Sequence, residues 1–259
     1  MTEIVTIANQ KGGVGKTTTA VNLSAALAIE GKKVLLIDAD PQSNATTSLG
    51  FHRDSYEYNL YHVMLGTKDL ADIILDVKDI DNLYVAPSNI GLVGIEKEFY
   101  EQTKERELVL KRILDTIKDD YDFIIIDSPP ALGPLTINTL SAATSVLIPI
   151  QCEFFALEGL AQLLNTIKLI RQTINRQFEI KGFLPTMYSG QNNLSKQVFA
   201  DLAKHFENKL FKLNDSSYVV VPRNIKLAES PSFGKPIMLY DAKSSGTKAY
   251  TNLAKAILR

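Results

Sequence analysis

The stretch IVTIANQKGGVGKTTTA (residues 4–20) decides the fold, because it joins an apolar strand to a helix through a loop rich in glycine. The run IVTIA predicts a buried strand, and the segment after the glycines has the apolar spacing of a helix. Glycines let backbone N–H groups close on phosphate oxygens, and the helix N-terminus adds a favourable dipole. The stretch therefore predicts a phosphate-binding loop. The residues that it assigns to nucleotide binding are Lys11, Gly12, Gly13, Val14, Gly15, Lys16, Thr17 and Thr18.

Two lysines flank the glycines, although such a loop needs only one. Lys16 lies between Gly15 and Thr17, where its side chain is expected to reach the β- and γ-phosphates. The hydroxyl of Thr17 is the expected Mg²⁺ ligand. Lys11 is a second positive charge five residues earlier. It needs a separate explanation.

The rest of the chain alternates apolar strands with helical patterns, which predicts one α/β domain over residues 1–259, with a mainly parallel sheet flanked by helices. Most of the strands are apolar without alternation, as in parallel strands covered on both faces. The strands are predicted at 3–8, 33–38, 83–87, 122–127, 145–150 and 178–187, and helices at 17–30, 105–119 and 156–174. Residues 41–70 are expected to form a mobile loop followed by a short helix, and residues 214–218 an exposed loop.

Composition excludes several classes of protein. Cys152 is the single cysteine, so no intramolecular disulfide and no paired-thiol cluster can form. No signal peptide and no apolar run of about 20 residues is visible, which favours a cytoplasmic protein. The net charge of −1 hides an asymmetry: residues 1–180 hold 16 Lys/Arg and 24 Asp/Glu (−8), whereas residues 181–259 hold 12 and 5 (+7). A basic C-terminal third favours a partner such as nucleic acid, but an idle polarised surface remains the alternative.

Three aspartates lie at the ends of predicted strands or just beyond them. Asp38 and Asp40 follow VLLI, and Asp127 follows FIII. The carboxyl edge of a parallel sheet is where phosphates are expected, so these side chains are candidates for metal binding and hydrolysis. Asp127 suits the aspartate that holds Mg²⁺, usually through water.

The motif KGGVGKTT resembles the deviant Walker A loop of the ParA/MinD superfamily of ATPases, in which Lys11 is the signature lysine. The segments 127–167 and 221–241 resemble the ParA/Soj partitioning ATPases more specifically, above all QCEFFALEGL and PRNIKLAESPSFGKPI. The resemblance covers residues 3 to about 258. It implies that Lys11 reaches the nucleotide of a partner subunit in an ATP-sandwiched homodimer. It also implies that Asp40 orients the attacking water, that Asp38 supports it near the metal, and that residues 127–136 form a second switch.

The resemblance further implies the partners. Pro222 and Asn224 are the candidates for contact with the adenine. Basic residues near the dimer-forming region are the candidates for contact with non-specific double-stranded DNA; they are Lys196, Arg223, Lys226, Lys235 and Lys243. Related members carry an arginine near Gln191 and Asn192, so either Lys196 replaces it here or DNA binding is weaker. A ParB-type centromere-binding protein is the expected activator, and the expected location is the nucleoid, without stable membrane association. No N-terminal helix-turn-helix extension is expected.

Three other functions compete with partitioning. A MinD-like membrane-positioning ATPase would need a C-terminal amphipathic helix free to enter lipid, whereas residues 244–259 are expected to form a short helix packed on the core. A nitrogenase-type reductase is excluded by the single cysteine. A carboxylate–amine ligase would need a separate substrate pocket, which the sequence does not reveal.

Overall fold

The computed structural model describes residues 2–101, 105–153, 158–214 and 217–259. Its centre is a seven-stranded sheet in which only the edge strand β3 is antiparallel to its neighbour. The spatial order is β3-β4-β2-β5-β1-β6-β7. The strands are β1 (Glu3–Ile7), β2 (Val34–Asp38), β3 (Leu75–Asp76), β4 (Leu83–Ala86), β5 (Phe123–Asp127), β6 (Ser145–Gln151) and β7 (Glu179–Thr186). A separate two-stranded hairpin pairs β8 (Lys212–Asn214) with β9 (Ser217–Tyr218).

Helices cover both faces of this sheet. Short 3-10 turns precede or extend several of them. The helices are α1 (Lys16–Ile29), α2 (Asn44–Ser48), α3 (Leu60–Met64), α4 (Leu92–Glu101), α5 (Val109–Asp115), α6 (Pro134–Ala142), α7 (Glu158–Thr173), α8 (Asn193–Phe206), α9 (Ile225–Glu229), α10 (Ile237–Tyr240) and α11 (Ser245–Ile257).

The alternation of side chains along each strand divides the core into two layers. In β5, Ile124 and Ile126 join the layer under α5 to α8, whereas Phe123 and Ile125 join the layer under α1, α10 and α11. Because both faces are covered, successive residues of one strand are all buried. This is the physical reason for the uninterrupted apolar runs in the sequence.

The six predicted strands are all present within one or two residues, and the mainly parallel α/β fold is confirmed. The helix predicted at 105–119 is shorter in the structure. Its α-helical part is α5 alone, and a 3-10 turn lies on either side of it. The predicted helix 156–174 is α7, and the prediction for residues 156–157 falls outside the described residues.

Two loop predictions need correction. The short helix predicted within residues 41–70 is present as α3, but residues 44–48 also form α2, whose Ala45 and Thr46 are buried, so the segment directly after β2 is not a plain loop. Residues 214–218 were predicted as a loop, but Asn214 and Ser217 are paired in the hairpin; residues 215–216 lie outside the described residues.

The C-terminal helix packs on the core, as the sequence predicted. Tyr250 and Leu253 of α11 are buried against α1, and the Tyr250 hydroxyl shares a 3.2 Å hydrogen bond with the Thr19 hydroxyl. The apolar face of α11 is therefore already occupied. In the described part of the chain, no helix has the length and apolarity needed to cross a bilayer.

Candidate nucleotide site

The sheet topology brings the predicted loop and aspartates to one edge. β5 lies between β2 and β1, and its register places Asp127 beside Asp38 on one side and beside Ile7 on the other. The glycine loop begins directly after β1, at the same carboxyl edge. Residues that are more than 100 positions apart are thus adjacent, and this edge is the expected ligand site of an open α/β sheet.

The loop itself is held by its neighbours. Gly13 and Gly15 have φ angles of 74° and 91°, which are left-handed conformations that favour glycine. The Thr186 hydroxyl at the end of β7 donates to the Val14 carbonyl at 2.8 Å, and the Asn9 amide donates to the Pro149 carbonyl at 2.7 Å. The loop is therefore braced by β6 and β7, which lie on one side of β1 in the sheet.

The two lysines of the loop have different environments. Lys16 is buried, and its Nζ donates to the Lys11 carbonyl at 3.2 Å. Burial lowers the Lys16 pKa below its ordinary value, although the carboxylates of Asp127 and Asp40 act in the opposite direction. Lys11 is half-buried, and no described residue forms an ion pair or hydrogen bond with its ammonium group. Only Lys16 is directed into the loop.

Asp127 is the unsatisfied group of the site. It is fully buried, yet neither carboxylate oxygen has a hydrogen-bond partner among the described residues. Burial, together with the nearby negative charges of Asp38 and Asp40, raises the Asp127 pKa well above its ordinary value. The adjacent Thr17 hydroxyl and the positive charge of Lys16 offset only part of this rise. A buried carboxylate without partners is costly. This carboxylate beside the Thr17 hydroxyl therefore fits a bound cation.

Asp38 is also fully buried, but its oxygens are occupied. Oδ2 accepts hydrogen bonds from the Thr46 backbone at 2.8 Å and from the Thr46 hydroxyl at 2.7 Å. Oδ1 accepts from the Asp40 backbone at 3.2 Å. Burial raises the Asp38 pKa to about 6 in spite of these donors. This arrangement favours the predicted supporting role over direct coordination of a metal.

Asp40 is buried at the same edge and keeps one oxygen free. Its Oδ1 accepts from the Gln42 backbone at 2.9 Å, and no described residue donates to Oδ2. Its carbonyl accepts from the Ser88 hydroxyl at 2.7 Å. Within the described ranges, no three His, Cys, Asp or Glu side chains form a metal cage. Mg²⁺ in phosphate sites needs only one or two carboxylates, with phosphate oxygens and water completing its shell.

A pocket of about 350 Å³ opens beside the loop. It extends from Gly15 and Thr18 to the segment that contains the two predicted adenine contacts, Pro222 and Asn224. Its volume is sufficient for a small ligand. The Asn224 side chain caps α9 by accepting from the Lys226 backbone at 2.8 Å and donates to the Ser245 hydroxyl at 2.8 Å. Much of its hydrogen-bonding capacity is thus used within the protein.

The five predicted DNA-contacting residues are exposed but are not equally free. Arg223 Nη2 lies 3.6 Å from a Glu153 oxygen, and Lys226 Nζ lies 2.9 Å from a Glu229 oxygen. The remaining three are Lys196, Lys235 and Lys243. Nearby, Asn192 caps α8 through a 2.9 Å bond from the Leu194 backbone, and Gln191 is exposed.

Several residues that shape the site were not predicted from the sequence. Thr46 fixes Asp38, Ser88 fixes the backbone of Asp40, and Thr186 fixes the loop. Each is an uncharged hydroxyl outside the motif, so no local pattern marks it.

Comparisons with known proteins identify relatives of this whole arrangement. A family model described as an AAA domain matches residues 2–180. The sporulation initiation inhibitor protein Soj of Bacillus subtilis (strain 168) is 49% identical over 257 residues, which are 99% of this chain and 98% of Soj. The chromosome partitioning protein ParA of Caulobacter vibrioides (strain NA1000 / CB15N) is 45% identical, covering 98% of this chain and 93% of ParA.

A solved structure extends the likeness to three dimensions. The crystal structure of cobyrinic acid a,c-diamide synthase from Mycobacterium smegmatis with a bound ATP analog and magnesium superimposes with a TM-score of 0.84. It is 36% identical and covers 100% of this chain and 95% of the synthase. The identity with the two partitioning proteins is higher.

Proposed function

This chain belongs to the AAA-domain family and, within it, to the Soj/ParA chromosome-partitioning ATPases, and from that premise we propose that it partitions DNA as an ATP-sandwiched homodimer. The observation that supports the dimer is the difference between the two lysines. Lys16 is buried within its own loop, whereas the Lys11 ammonium has no partner among the described residues of its own chain. Two facing triphosphates repel each other, and a lysine from each subunit would offset that repulsion.

Within one subunit, the described residues suit phosphoryl transfer to water. The backbone of residues 12–15, the N-terminus of α1 and Lys16 would hold the phosphates. The Thr17 hydroxyl and the unpaired Asp127 carboxylate would hold Mg²⁺. Mg²⁺ held there would offset the negative charge of the phosphates. Asp40 Oδ2 would accept a hydrogen bond from the attacking water, because Oδ1 is already engaged by Gln42.

Asp38 would act on Asp40 through the backbone. Its Oδ1 accepts from the Asp40 N–H, and its Oδ2 fixes α2 through Thr46. The two bonds position the turn that carries Asp40. Positioning and electrostatics are the main contributions to catalysis of this type, so the fixed turn is part of the mechanism.

The DNA partner would be bound through exposed cations of the C-terminal third. Phosphate contact requires only Lys or Arg on a common face, and its affinity falls with salt. Lys196, Lys235 and Lys243 are exposed, whereas Arg223 and Lys226 would have to exchange a glutamate for a phosphate. Hydrolysis stimulated by a ParB-type protein would then separate the dimer and release the DNA. The chain would act in the cytoplasm, on the nucleoid.

A direct experiment is binding to random-sequence duplex DNA with ATP, with ADP and without nucleotide, at two salt concentrations. We expect binding only with ATP, and weaker binding at the higher salt concentration. Lys11→Ala should still bind ATP as a monomer but should give no ATP-dependent dimer on size exclusion. A normal dimer of this variant would refute the role of Lys11. If the parental chain binds no DNA with ATP, with ADP or without nucleotide, the proposed DNA partitioning is refuted.

A further inference from the structure

A groove of about 390 Å³ lies between the C-terminal half of α7 and the start of β7. Its floor is apolar and consists of Leu164, Ile167 and Ile180. Its cationic side chains are Lys168, Arg171 and Arg176, all exposed. We call these residues the α7 groove.

In the described part of the chain, the cations of the α7 groove have no acidic partner. Residues 159–178 contain these three Lys/Arg and no Asp or Glu, and none of the three forms an ion pair with any described residue. Lys168 and Arg171 are three positions apart on one helix, so their Cβ atoms are separated by about 5–6 Å. Arg223 and Lys226, by contrast, each face a glutamate. The α7 groove therefore presents a concentration of free positive charge.

The position of the α7 groove separates it from the nucleotide site. Ile180 stands at the beginning of β7, whereas Thr186, which contacts the phosphate loop, stands at its end. Tyr188, which accepts a hydrogen bond from the Arg223 backbone, follows β7. The six steps from Ile180 to Thr186 span about 20 Å of extended strand. The α7 groove is thus at the opposite edge of the sheet from both the phosphates and Arg223.

We propose that the α7 groove is a second phosphate-contacting surface for duplex DNA, so that a DNA-bound protein can hold a second duplex. Arg171 and Arg176 carry planar guanidinium forks that match phosphate oxygens. The apolar floor supports the aliphatic stems while the charged ends stay in water. No sequence readout is required, because such contacts go to the backbone. This inference rests on the proposed DNA-partitioning function.

The test compares two variants with equal change of charge. Arg171→Gln with Arg176→Gln removes two cations from the α7 groove. Lys78→Gln with Lys97→Gln removes two exposed lysines from other helices and turns. One duplex is fixed to beads, and capture of a second, labelled duplex by the ATP-bound protein is measured. We expect the α7 variant to lose this capture and the lysine control to retain it, while ATP hydrolysis without DNA is unchanged in both.

Salt dependence gives a second readout. Each neutralised phosphate contributes about 0.9 to the slope of log affinity against log salt, so contacts made by Arg171 and Arg176 would give a slope of at least about 1.8 for the second duplex. Between 50 and 200 mM salt, the affinity of the parental protein for the second duplex should therefore fall at least about twelvefold.

The outcomes separate the two proposals. If the parental chain binds no duplex with ATP, the DNA-partitioning function fails and this inference fails with it. If the parental chain binds but the α7 variant matches the lysine control in capture and slope, only the α7 site is overturned. If the variant matches the control with DNA but loses binding to poly-glutamate, the groove serves an acidic protein and the DNA proposal is wrong.

Discussion

The bond between Thr46 and Asp38 supplies a quantitative prediction. Thr46→Val keeps the shape of the side chain but removes the hydroxyl that donates to Asp38 Oδ2 at 2.7 Å. The same hydroxyl accepts from the Ser88 backbone at 3.2 Å. Loss of a hydrogen bond to a charged group costs about 1.5–3 kcal/mol, and the unpaired Ser88 N–H adds about 1–3 kcal/mol. We expect the free energy of unfolding to fall by about 3–5 kcal/mol.

The assay is urea unfolding of the nucleotide-free protein, with Thr47→Val as the control. Thr47 lies in the same helix, but it is exposed and its hydroxyl bonds only to the Ser43 carbonyl at 3.0 Å. Its replacement should cost about 0.5 kcal/mol or less. The midpoint should shift for Thr46→Val without a change in the slope. Equal midpoints for the two variants would show that the hydroxyl does not hold Asp38.

Three further predictions address catalysis, thiol chemistry and packing. Asp40→Ala should bind ATP but release phosphate at least about a hundredfold more slowly, whereas Gln42→Ala, which keeps the backbone N–H on Asp40, should be normal; a parental rate for Asp40→Ala would contradict its role. Burial raises the Cys152 pKa to about 11 from 9.0. At pH 8 the thiol of the folded protein should therefore react with a disulfide reagent about a hundredfold more slowly than the thiol of the urea-unfolded protein, and the free energy of unfolding should fall as the pH rises from about 9 to 11. Equal reaction rates would refute this. Gly234→Ala places a Cβ 2.6 Å from Gly50 Cα at a φ of 62° and should lower the free energy of unfolding by more than about 2 kcal/mol. In the control Gly66→Ala, the φ is 72° but the space around the Cβ is open, so the loss should be only about 1 kcal/mol. Equal losses in urea unfolding would exclude the close contact.

The sequence predicted those elements whose signal is local. The run FIIID is apolar on both faces of one strand, so it specified a buried parallel strand and the position of Asp127. The glycine loop predicted its own conformation, because Gly13 and Gly15 adopt angles that other residues rarely adopt. β3 was missed because a two-residue edge strand has no periodicity.

The remaining features depend on contacts between distant parts of the chain. α2 is five residues long and polar, and its burial follows from the bonds between Thr46 and Asp38 rather than from its own pattern. Thr186 reaches Val14 over 172 positions. The glutamates opposite Arg223 and Lys226, and the unpaired cations of the α7 groove, became visible only when their neighbours were known. When the charges were counted separately before and after residue 180, the α7 cations fell in the part of the chain with a net negative charge, so the count did not reveal them.

The central place of β1 in the sheet has a consequence for synthesis on the ribosome. Its two neighbours are β5 and β6, and Glu3 pairs with Phe123. At about 5–20 residues per second, that partner is synthesised roughly 6–24 s after β1 leaves the peptidyl-transferase centre. During this interval an apolar segment that later carries the phosphate loop has no strand to pair with. The nascent chain can therefore complete its nucleotide loop only after about half of its length has been translated.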